Sequence, residues 1–124
     1  MNYGTVFKLT PQSDGSYKQT ILSSFSGDAY GLLFTGHLAV DSTGAFYGTT
    51  QSSSGVGFGG TVFRLSPPVT DTIWTRSILH TFVDNGHDGS LPNAGVLLNK
   101  TGSIFGTTVR GGRAFLGTVY VLDP

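Results

Sequence analysis

The sequence predicts an all-β protein of β-propeller-like architecture, with two four-stranded blades in the chain. Three observations carry this reading. Gly-Thr-Val followed by an aromatic recurs at Gly4-Thr5-Val6-Phe7, Gly60-Thr61-Val62-Phe63 and Gly117-Thr118-Val119-Tyr120, and a period of roughly 57 residues belongs to blade-like units. Other segments recur at the same spacing: Ile21-Leu22-Ser23-Ser24-Phe25 with Ile78-Leu79-His80-Thr81-Phe82, Asp41-Ser42-Thr43-Gly44 with Asn99-Lys100-Thr101-Gly102, and Tyr47-Gly48-Thr49-Thr50 with Phe105-Gly106-Thr107-Thr108. Finally, 19 glycines and only 11% charged residues suit short strands joined by tight turns, and no helix-period run is visible.

The elements follow from alternation and turn chemistry. Ser13-Asp14-Gly15-Ser16 is a hairpin turn after the first Gly-Thr-Val strand, and Tyr17 to Leu22 returns from it. Leu38 to Val40, the turn Asp41 to Gly44 and Ala45 to Thr50 make a second hairpin. Thr61 to Leu65 is the third strand of that blade; Pro67 and Pro68 end it, because proline cannot donate to a ladder, and Ile73 to Leu79 is the fourth. The chain thus reads as a single domain, 1–124, of two repeats, approximately 4–59 and 60–116, with a closing strand over 117–124.

The repeat resembles the bacterial GloVer-type tandem repeat family, whose units run roughly GTVF-x-L, L-x-x-F, DG-x-x-P, D-x-x-G-x-LYGTT and GG. The second unit matches best, through Phe82, Asp88-Gly89, Pro92, Gly102, Phe105-Gly106-Thr107-Thr108 and Gly111-Gly112. The first departs, with Asp28-Ala29-Tyr30 in place of the Asp-Gly-x-x-Pro element and Gln51-Ser52-Ser53-Ser54 after Thr50. The resemblance implies a propeller-like fold and a bacterial cell-surface or secreted location. It implies no reaction. Met1-Asn2-Tyr3 carries no signal-peptide pattern, so the expectation is an intracellular protein or one whose leader has been removed.

Two blades do not close a ring, since propellers have about four to eight. The expected partner is the chain itself, in a homo-oligomer closed by rotational symmetry. A six-bladed trimer is favoured over a four-bladed dimer. The third Gly-Thr-Val copy is surplus to that ring, so Met1 to Leu9 and Thr118 to Leu122 either complement neighbouring chains or belong to a longer propeller.

Charge and composition exclude several classes. Net charge is zero, and the 7 Lys and Arg residues are scattered, which is not the footprint of a nucleic-acid binder. The apolar stretches, such as Ala94 to Leu98, are far shorter than the roughly 18 residues of a membrane helix. With no cysteine, disulfides, thiol catalysis and Cys-ligated zinc are excluded.

The polar motifs carry little chemistry. The repeated glycines lack the following helix that a phosphate cradle needs. Asp84 to Gly89 resembles a calcium loop only superficially, with Gly86 and Gly95 where ligands should stand. His37, His80 and His87 have no zinc spacing, and Ser24, Ser42 and Ser77 no nucleophile elbow. No catalytic residue, metal or cofactor is expected. Candidate ligand-binding residues are Trp74, Arg76, Asp84, Asn85, His87, Asp88, Arg110 and Arg113, because an aromatic face stacks on sugar C–H groups while charged and amide groups bond hydroxyls. The function expected is a non-catalytic repeat module for assembly or protein interaction. The alternatives are a lectin-like carbohydrate binder and a hydrolase with a site at the ring axis, drawn from Asp28, Asp84, Asp88, His37 or His87.

Overall fold

The computed structural model describes residues 4–25, 32–52, 58–70, 72–83 and 85–124. It is all-β, without a helix among the described residues. The strands are β1 (Thr5–Pro11), β2 (Tyr17–Ser24), β3 (Leu32–Val40), β4 (Phe46–Ser52), β5 (Phe58–Ser66), β6 (Thr75–Val83), β7 (Gly89–Ser90), β8 (Leu97–Leu98), β9 (Ile104–Thr108), β10 (Arg110–Gly111) and β11 (Thr118–Leu122). They form antiparallel sheets β1-β2, β3-β4-β5-β6 and β8-β9-β11, with a short ladder β7-β10. None is closed into a barrel.

The four-stranded sheet joins the strands expected as one blade between Leu38 and Leu79. It takes strands from both sides of residue 60, and the sheets on either side of it hold two and three strands. The strand expected at Leu38 begins at Leu32, and the one expected over Ile73 to Leu79 runs Thr75–Val83. The physical reason is that sheet membership is decided by which edges pair. A sequence period fixes the length of a unit and leaves its starting point open.

The internal correspondence is visible in the registers. β4 and β5 pair Tyr47 with Arg64, Gly48 with Phe63 and Thr50 with Thr61; β9 and β11 pair Phe105 with Val121, Gly106 with Tyr120 and Thr108 with Thr118. A Cβ at Gly48 would lie 2.7 Å from Phe63 Cζ, and one at Gly106 would run into the Tyr120 ring. In both places an aromatic ring lies across a glycine on the neighbouring strand. Beside it, Thr50 and Thr61 share a hydroxyl–hydroxyl hydrogen bond of 2.7 Å, and Thr108 and Thr118 one of 2.8 Å, so these covered hydroxyls satisfy each other.

The hairpin turns correspond too. Asp41 Oδ1 accepts from Thr43 N, Thr43 Oγ1 and Ala45 N at 2.8, 2.6 and 3.1 Å. Asn99 Oδ1 accepts from Thr101 N, Thr101 Oγ1 and Ser103 N at 3.0, 2.9 and 2.8 Å. The turn needs one side-chain carbonyl-type oxygen, which Asp and Asn both supply.

The sheets pack face to face in a row. Val6, Leu22, Phe25, Phe63 and Leu65 are buried between β1-β2 and the four-stranded sheet, with Leu38, Phe46 and Trp74 against them. Val62, Phe82, Val96 and Ile104 are buried on the other side, with Tyr47, Leu98, Tyr120 and Leu122 against them. Successive residues of a strand point to opposite faces, so β5 feeds both cores through Val62 and Phe63. Each fully buried apolar side chain of this size contributes about 1.5–3 kcal/mol.

Tyr120 departs from its counterpart Phe63 by one hydroxyl, which is buried without a hydrogen-bond partner among the described residues. Burial pushes its pKa up to about 12. Because an unpaired buried hydroxyl is a cost, Tyr120→Phe is expected to leave stability unchanged or raise it by about 1 kcal/mol, read from the urea midpoint. A loss of more than about 1 kcal/mol would mean that the hydroxyl is bonded in the folded protein.

Candidate functional site

Antiparallel pairing sends alternate connections to opposite ends of the sheets. The turns after β3 and β8 and the β5–β6 connection lie at one end; the segments after β6 and after β9 lie at the other. Trp74 precedes β6 and Asn85 follows it, and β6 is 9 residues long. At ~3.3 Å per residue the two are on the order of 30 Å apart. The candidate ligand residues therefore split into two groups.

At the first end, Trp74 stacks on Phe46 with ring centroids 5.6 Å apart and 29° between planes. The Arg76 guanidinium sits over the Phe25 ring at 4.5 Å, and its Nη1 donates to Ser24 O at 3.2 Å and Ser23 Oγ at 3.4 Å. Arg76 thus ties β6 to β2. At the second end, Asn85 Oδ1 accepts from His87 N at 2.9 Å and Asp88 N at 3.0 Å. Asp88 Oδ2 accepts from Val83 N at 3.1 Å and lies 3.1 Å from His80 Nε2, while Oδ1 accepts from Gly89 N at 2.7 Å. The carboxylate is turned into its own loop.

That loop meets the one after β9, where Arg110 pairs with Ser90 and Gly111 with Gly89. A Cβ at Gly111 would collide with the Asp88 carbonyl, and Gly112 beside it also holds a positive φ of 73°. His87, Arg110 and Arg113 are exposed on these two adjoining loops. Asp84 and Asp28 lie outside the described residues. Among the described residues no three metal-ligating side chains come together.

A further polar constellation lies elsewhere. A cleft of about 540 Å³ opens between the Asp41 and Asn99 turns, with Tyr47 and Lys100 in its wall. A hollow of about 290 Å³ shares Tyr47 and Gly102 with it and reaches Arg64 and Asp123. Asp41 Oδ2 accepts from Tyr47 OH at 2.9 Å and faces Arg64 Nη2 at 3.8 Å, and the Arg64 guanidinium lies 5.8 Å above the Tyr47 ring centre. Hydrogen bonds, foremost from the Thr43 hydroxyl and then from Tyr47 and backbone amides, hold Asp41 at about 2 against its partial burial. Burial, then the bond to Asp41, raises Tyr47.

At neutral pH this leaves an anion, a protonated phenol and a cation, a set poorly matched to proton transfer near pH 7. Arg64 Nε is buried without a hydrogen-bond partner among the described residues. The sequence reading passed over these three residues. Their signal was a linked change between the units, since Asp41, Tyr47 and Arg64 are answered by Asn99, Phe105 and Val121.

No protein-family model matches this chain, and no curated protein or solved structure matches it.

Asn99 shows that an amide can hold the turn, so Asp41→Asn isolates the Oδ2 charge. The folded pKa of Asp41 is lowered from 3.8 to about 2; its stabilisation is complete above the unfolded value and disappears as pH falls through the folded one. The variant is expected to be less stable by about 1–2 kcal/mol at pH 7 and to match the parent near pH 2, by urea unfolding at several pH values. A deficit independent of pH would remove the charge from the explanation.

Proposed function

We propose that the chain is a non-catalytic β-propeller repeat module that works in assembly or protein interaction. The observation that carries this is the exposure of equivalent positions. Phe63 and Leu65 on β5 are 0% exposed, whereas Phe7 and Leu9, their counterparts on β1, are each 50% exposed, and Ile21 beside Phe7 is 58% exposed. At the other end of the row, Leu97 and Phe105 pair across one face of β8-β9-β11 and are 74% and 40% exposed. The central sheet is covered on both faces, and each outer sheet on one.

Contiguous apolar surface of this kind marks an interaction site. With two repeat units in each chain, three chains complete a six-bladed ring under closed rotational symmetry. The carbohydrate-binding and ring-axis hydrolase alternatives draw less support, because Trp74 is stacked on Phe46 and the Asp88 carboxylate is bonded within its own loop.

Mass in solution, by light scattering coupled to size exclusion over a concentration series, tests the proposal. A concentration-independent trimer is expected. Leu9→Asp and Phe105→Asp, at opposite ends of the row, should each yield monomer, whereas Val69→Asp, on a residue 96% exposed away from both faces, should not. A parent chain that is monomeric throughout would overturn the self-assembly.

A further inference from the structure

We infer that the open edge of β1, from Gly4 to Leu9, is a docking site for an extended strand of sequence aromatic-Gly-Thr-Thr, added antiparallel with its glycine opposite Phe7. This deepens the interaction role proposed above and rests on that reading; the strand comes from a protein other than a folded copy of this chain, whose own aromatic-Gly-Thr-Thr strands are held between neighbours.

β1, β5 and β11 share their geometry. Each follows a glycine of positive φ, +114° at Gly4, +106° at Gly60 and +98° at Gly117. β1 and β5 also shift register at the same place, between Val6 and Phe7 and between Val62 and Phe63, against β2 and β6. On β5 the edge away from β6 is occupied by β4 with Tyr47-Gly48-Thr49-Thr50, and on β11 the corresponding edge is occupied by β9 with Phe105-Gly106-Thr107-Thr108, while the other edge of β11 has no neighbour among the described residues. On β1 the edge away from β2 has no neighbour among the described residues.

The occupant makes three contacts at each filled edge. Its glycine lies under the aromatic ring of Phe63 or Tyr120. The hydroxyl of its last threonine bonds Thr61 or Thr118. The carbonyl of that threonine fits where a Cβ would stand on Gly60 or Gly117, so the left-handed glycine is what lets the two backbones approach. At Gly4 the same backbone conformation is held, yet among the described residues nothing lies within 4 Å of the place its Cβ would take. Phe7 and Thr5 are exposed beside it. The ring, the hydroxyl and the recess of the filled edges are all present on β1.

Such addition draws affinity from main-chain hydrogen bonds and specificity from the side chains that must fit alternate positions. A strand with a larger residue at the glycine position meets the Phe7 ring. An apolar peptide without that glycine can lie on the outer face but cannot take the edge.

The test uses the 124-residue chain carrying Phe105→Asp, which leaves β1 untouched and frees its edge from any assembled neighbour. The probe is a synthetic peptide of the chain's own residues 45–52. Fluorescence anisotropy should show saturable binding, and hydrogen exchange should show new protection of amides within residues 4–9. The peptide with Gly48→Val, and separately the protein with Gly4→Ala, should each weaken binding at least about tenfold. Equal binding of the glycine and valine peptides, protection confined to β9 and β11, or no binding would each overturn the site. A parent chain that is monomeric but binds the peptide would remove the self-assembly and keep this edge.

Discussion

An aromatic ring lying across a glycine on the next strand is the contact on which the other features depend. Phe63 can cover β4 because position 48 has no side chain, and Tyr120 covers β9 because position 106 has none. Glycine inside a strand costs roughly 0.5–1 kcal/mol relative to alanine, and the buried ring more than offsets it. Phe63 fills one core while Val62 enters the other. The paired threonine hydroxyls and the positive-φ glycine before each Gly-Thr-Val strand complete the same unit of contact.

Charge is used sparingly and as ties. Arg76 joins two sheets through the Phe25 ring and the β2 backbone, and Asp41 anchors a turn while gathering Tyr47 and Arg64. Asp88 fastens the loop after β6. These groups hold loops against sheets, and among the described residues the apolar end faces and the β1 edge lie apart from them.

Much of this was legible in the sequence. Gly-Thr-Val-aromatic, the Asp or Asn turns and the aromatic-Gly-Thr-Thr strands all lie where alternation and turn chemistry put them, because each depends on neighbours along the chain. The grouping of the central four strands was legible from the hairpin turns, but the two- and three-stranded sheets on either side were not, because pairing is settled between strands by edges and registers. The same limit applies to the candidate site. Trp74 and Asn85 look close in sequence, but a full strand separates them, and only packing reveals that Trp74 is engaged by Phe46. The Asp41, Tyr47 and Arg64 group could have been found by asking where the two units differ in concert.

The ring-over-glycine contact is tested most directly by a double-mutant cycle on Gly48→Ala and Phe63→Leu, read from urea unfolding. A methyl at position 48 conflicts with the Phe63 ring, with Leu38 as its other near neighbour. A coupling of about 1 kcal/mol or more is expected, with Gly48→Ala much better tolerated once the ring is gone. Additivity within about 0.5 kcal/mol would contradict it.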